Sequence, residues 1–105
     1  MFTKFDKFEM FEFFEMEPVC VGEYEEEIWM YTLEENNFKL LVLVDTYAAV
    51  VDVSVSYQEN LVYSGSYMNV EEIRKSDDKA LRMIIREQND VILKKGNQIG
   101  VIMEE

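Results

Sequence analysis

Residues 38–58 read FKLLVLVDTYAAVVDVSVSYQ, and their patterning decides the class of fold. From Ala48 to Gln58 the side chains alternate: Ala49, Val51, Val53, Val55 and Tyr57 face one way, and Asp52, Ser54, Ser56 and Gln58 face the other. That is the pattern of a strand with one face in a core and one in water. Just upstream, Leu40-Leu41-Val42-Leu43-Val44 lies within an apolar run from Phe38 to Asp45 that does not alternate, as expected of a central strand covered on both faces. Thr46-Tyr47 is predicted to turn between the two.

Working outward, Tyr24 to Glu34 alternates with Trp29, Tyr31 and Leu33 on one side, and Asn36-Asn37 supplies a turn that tolerates left-handed backbone, so a first hairpin is predicted. Downstream, Glu59-Asn60 turns into Leu61 to Tyr67, where Gly65 marks a bulge or a close backbone approach. Asn69 with Glu72 has the spacing of a capping box, which predicts a short helical turn near 70–75, ended by Asp77-Asp78. Leu81, Met83 and Ile85 alternate with Arg82 and Arg86 in a fifth strand, and Val91 to Lys94 and Ile99 to Met103 follow as the sixth and seventh. At the amino end, Phe8-Glu9-Met10, Phe11-Glu12-Phe13 and Phe14-Glu15-Met16 form a triplet repeat. Its period of three is nearer a helix than a strand, and a helix from Lys4 to Met16, stopped by Pro18, is expected. The fold class is therefore α+β in a single domain, 1–105: an N-terminal helix packed on an antiparallel meander sheet of six or seven strands.

Charge is unevenly spread. The chain carries a net charge of -12, and residues 1–36 hold eleven carboxylates against two lysines, Lys4 and Lys7. Such a field favours basic partners and repels phosphate backbones and anionic lipid. A membrane role is not expected, since the longest apolar run is far too short to span a bilayer. Direct nucleic-acid binding is not expected either, because Glu and Asp are interleaved with the cations from Arg74 to Lys95. One cysteine, Cys20, makes no internal disulfide, and the amino end shows no basic-then-apolar leader, so the cytoplasm is the expected location.

No reaction is predicted. The chain has no histidine, which removes the usual general base and imidazole ligation. Cys20 lies between Val19 and Val21, where a thiolate is disfavoured, and is expected to be a buried or half-buried thiol without catalytic duty. Glu25-Glu26-Glu27 and Asp77-Asp78 lack the alternation and central glycine of a calcium loop, and the four glycines are isolated, so no metal, phosphate loop or cofactor is expected.

What remains is binding. Acids beside large aromatics supply steering charge and anchors for a protein interface. The candidate partner-binding residues are Glu9, Glu12, Glu15, Glu23, Tyr24, Glu25, Glu26, Glu27, Trp29 and Tyr31. In size, charge and lack of catalytic apparatus the chain resembles the small acidic inhibitors with which bacteria neutralise toxic nucleases, and phage proteins that imitate nucleic acid to block defence enzymes. No motif is diagnostic of either. The resemblance implies a non-enzymatic, immunity-type module occupying a basic surface of a partner such as a nuclease. The competing reading is a homo-oligomeric assembly protein that dimerises through Phe8, Phe11 and Phe14 of the helix.

Overall fold

Asn36 and Asn37 take φ values of 52° and 69°, the left-handed pair that a two-residue hairpin needs and that asparagine adopts at small cost. The turn sets Glu35 against Phe38 and aligns the flanking strands through to Ile28 against Asp45. A computed structural model describes residues 2–23 and 27–104. In chain order the elements are β1 (Lys4–Phe5), α1 (Lys7–Phe14), β2 (Val19–Cys20), β3 (Ile28–Glu35), β4 (Phe38–Asp45), β5 (Val50–Tyr57), β6 (Asn60–Tyr67), β7 (Val70–Asp77), β8 (Ala80–Ile85), β9 (Val91–Lys94) and β10 (Gly100–Met103).

The strands form two five-stranded sheets rather than one meander. The first has the order β2-β3-β4-β5-β6 and is antiparallel throughout; the second has the order β1-β7-β8-β9-β10, with β1 parallel to β7. The break falls at Asn69, which the sequence suggested as a helix cap. Its φ of 59° instead turns the chain, and Val70 donates its N–H to Ala49 O before β7 departs to pair with β1 and β8. The predicted helical turn at 70–75 is thus a strand. Glu72 is not a capping partner but the residue opposite Lys4 in the β1–β7 register.

The helix is shorter than its triplet repeat suggests. Lys4 and Phe5 are drawn into the second sheet, and Asp6 becomes the N-cap, its carboxylate accepting from Phe8 N at 2.7 Å and Glu9 N at 3.4 Å. At the other end Glu15 adopts φ 58° and its N–H reaches Phe11 O, closing the helix before Pro18 can act.

Both sheets and the helix share one core. Met10, Phe13 and Phe14 of α1 meet Tyr31, Val42 and Val53 of the first sheet and Ile73, Met83 and Leu93 of the second. On β4 only one face is closed: Leu40, Val42 and Val44 are buried, whereas Leu41 and Leu43 are half-covered, because no layer among the described residues lies over the outer face. Gly65 is the close approach that the sequence suggested. A Cβ there would lie 2.6 Å from Tyr63 Oη, whose hydroxyl passes over it to pair with that of Tyr67. The bulge sits instead at Val62, where the β5–β6 register slips between Tyr63 and Leu61.

Candidate protein-binding site

The glutamates of α1 do not form a free acidic ridge. Glu9 accepts from the backbone N–H of Lys75 at 2.8 Å, and Glu12 takes the Lys75 ammonium at 3.0 Å. Asp78 lies on the same ammonium at 3.5 Å. The hydrogen bond to Glu12 is the first cause that holds the Lys75 amine above its usual range. Glu15 lies 3.9 Å from Lys95, whose Nζ donates to Phe13 O at 2.6 Å and so sits at the negative end of the helix dipole. The hollow beside this flank is lined by Glu12, Glu15, Glu35 and Asp78 with Lys75, Lys79 and Lys95, a near balance of sign. The chain's own lysines therefore partly absorb the field expected of Glu12 and Glu15, and Glu9 is tied to the β7 backbone.

Two aromatic expectations fail for the same reason. Tyr31 is 2% exposed and stacks on Phe14 at 4.9 Å, while Phe14 is 1% exposed. Neither can anchor a partner or form a dimer face, because their position on β3 and in the last turn of α1 turns them into the shared core. Burial pushes the Tyr31 hydroxyl up to about 12. Cys20, expected to be buried or half-buried, is exposed: its two-residue strand lies at the sheet edge, and nothing pairs beyond it among the described residues.

The other flank of the helix is different. Phe8 and Phe11 project from it, 82% and 49% exposed, toward the partly buried ring of Trp29 on β3. Together with Lys7, Glu17 and Pro18 they line an open cleft of about 430 Å³. Lys7 Nζ stands 4.9 Å from the centre of the Trp29 ring, a cation–π contact. The edge strand β2 is held to β3 by Val19 opposite Met30 and Cys20 opposite Trp29, so Cys20 shares the face of Trp29 while exposed Val19 lies on the opposite face of the sheet. Exposed large apolar side chains collected in this way mark interaction surfaces more often than scattered ones do.

One carboxylate without a cation, Glu17, lines this cleft, and two more lie near it in sequence. Among the described residues Glu17, Glu23 and Glu27 are exposed and have no lysine or arginine within 4.0 Å. Glu17 lines the cleft itself, Glu23 follows β2, and Glu27 lies two residues before Trp29. Tyr24, Glu25 and Glu26 lie outside the described residues. The geometry thus brings Trp29, Phe8 and Phe11 together with Glu17, while Tyr31 and Phe14 turn into the core and Phe11 also borders the hollow of Glu12 and Glu15. Lys7, Glu17 and Pro18 were missed as site residues. The signal was Pro18 itself, which forces an extended connection and so lays the following residues along an edge.

No family model matches the chain, and no curated protein matches it. Among solved structures, it superposes on one chain of a contact-dependent growth inhibition toxin–immunity protein complex from Klebsiella pneumoniae 342, with a TM-score of 0.81 over 99% of this chain and 98% of that one. The two folds are alike from end to end. At 18% sequence identity, the likeness shows the fold and carries no residue across. Among the described residues no group of three or more His, Cys, Asp or Glu could hold a metal ion, and no helix is long and apolar enough to cross a membrane.

Proposed function

We propose that this protein is a non-enzymatic, immunity-type inhibitor that occupies a basic surface of a toxin, such as a nuclease. The observation that carries the reading is the cleft of Phe8, Phe11 and Trp29, whose lining carboxylate Glu17 is not taken up by the chain's own cations among the described residues; Glu23 and Glu27, exposed and likewise without a cation, are close to it in sequence. Aromatic anchors in a pocket give affinity, and unpaired rim charge steers the encounter. The end-to-end likeness to a chain from a toxin–immunity complex supports the same assignment. The charge of -12 supports it as well, since a polyanionic surface competes with nucleic acid for a nuclease's basic site.

The test is protection from the candidate toxin encoded beside this gene, followed by association kinetics with the purified pair. Co-expression should restore growth, and Trp29→Ala should weaken binding by tenfold or more while the protein stays folded. The association rate should fall steeply as salt is raised, because steering is screened beyond about 8 Å at physiological ionic strength. A complex whose association ignores salt, or one indifferent to Trp29, refutes the proposal.

A further inference from the structure

Free sheet edges invite pairing with another chain, and short strands or charged side chains are the usual protection. Three of the four edges among the described residues are short: β1 and β2 have two residues each and β10 has four. The fourth, β6, runs eight residues, NLVYSGSY, with no charge and no proline, in a chain that is 30% charged. It pairs with β5 on one side, and among the described residues no backbone hydrogen bond leaves its other side. Leu61 and Val62 are 64% and 59% exposed, and exposed Met68 follows the strand. The bulge at Val62 disturbs its first part, but Tyr63 to Tyr67 keep regular register against Val55 to Val51.

We propose that β6 is a self-association edge. A second copy of this chain pairs with it antiparallel across a two-fold axis, joining two five-stranded sheets into one of ten strands. Charge selects this occupant. Two bodies of charge -12 repel one another wherever carboxylates meet, and β6 is the long edge along which none do. An axis through Ser64 sets Tyr63 against Gly65; beyond that pair the bulged Val62 faces Ser66, so regular pairing is confined to residues 63–65. This axis leaves Glu59, the acid just before the strand, outside the paired segment and opposite Asn69. A basic partner, by contrast, is drawn to carboxylates, and this strand offers it none. One strand pair with a few apolar side chains buries well below the roughly 1,200–2,000 Å² of a stable complex, so the dimer is weak and depends on concentration.

Its salt dependence is opposite to that of the toxin complex. Salt screens the repulsion between two acidic copies and tightens the dimer, whereas it slows a steered encounter with a basic partner. Failure of one therefore says nothing about the other. Sedimentation equilibrium of the purified chain over a wide concentration series, at low and high salt, should show the mass rising toward twice the monomer value and the association tightening several-fold with salt. Ser64→Lys places like charges on the axis and should return the monomer with an unchanged circular dichroism spectrum. Val62→Lys, at the exposed bulge, is the second variant if the first fails to fold. Ile102→Lys on the β10 edge should leave the dimer intact. A monomer at every concentration and salt, or a dimer that survives both β6 lysines in folded protein, overturns the proposal.

Discussion

Replacing Phe14 by alanine separates a helix that plugs the core from one that docks another chain. Phe14 is 1% exposed, stacked on Tyr31 at 4.9 Å and edge-on to Phe13 at 5.0 Å. Truncating a buried phenylalanine costs about 3–5 kcal/mol, and because the change strips both neighbouring rings of their partner the upper half of that range applies here. A domain of this size holds about 5–15 kcal/mol in total, so the variant should be marginally folded. In a melt, about 4–8 °C is lost per kcal/mol, which predicts a fall of roughly 16–40 °C. Phe11→Ala, at 49% exposure in the same helix, is the matched control. Its expected cost is within about 0.5 kcal/mol. Urea unfolding of the three proteins, followed by circular dichroism, reads both numbers. Equal costs at the two positions, or a Phe14 variant within about 1 kcal/mol of the parent, would refute the packing described for α1.

Two further outcomes follow from the strands. Tyr31, raised to about 12 by burial, and Tyr67, raised by burial and by its hydrogen bond to Tyr63, favour the neutral phenol in the folded state. Unfolded tyrosine ionises near pH 10, so stability is intact below that pH and declines as the pH climbs from about 10 toward 12. Phenolate absorbance from these rings should appear together with loss of circular dichroism; ordinary titration of every tyrosine in a folded protein would contradict their burial. Separately, Gln58 and Glu59 turn the β5–β6 hairpin with φ values of 48° and 68°, a left-handed pair built from residues poorly suited to it. Exchanging them for Asn-Gly should stabilise the protein by about 1 kcal/mol, and an unmoved urea midpoint would mean that this turn carries no strain.

The strand pattern was legible where one face is wet and one is dry. Val51, Val53 and Val55 are buried as their alternation implies, whereas Tyr57 at the strand end is exposed and Ala49 is buried in the turn before the strand; Asn36-Asn37 makes the hairpin turn that its composition implies. The division into two sheets was not legible. It turns on Asn69, whose spacing to Glu72 looks like a helix start, while the partner that draws β7 away lies at Lys4 and Phe5, remote in sequence. The acidic helix misled for a similar reason. Glu9, Glu12 and Glu15 stand in a run almost devoid of cations, and the lysines that satisfy them, Lys75 and Lys95, come from the far end of the chain. The nearness of Trp29 to Phe8 and Phe11 was not legible either, because it depends on how the helix is laid across β3. Tyr31, two positions along, alternates with nothing that marks it as deeper than Trp29.

The pairing of β1 with residues Glu72 and Ile73, and the grip of Lys95 on the last turn of the helix, have a consequence for biosynthesis. As the polypeptide leaves the ribosome, its phenylalanine-rich leading segment has nowhere to dock until β7 has been made, and is not clamped until Lys95 emerges. Because the cleft needs Phe8 and Phe11 held beside Trp29, it is complete only once β7 and Lys95 are in place.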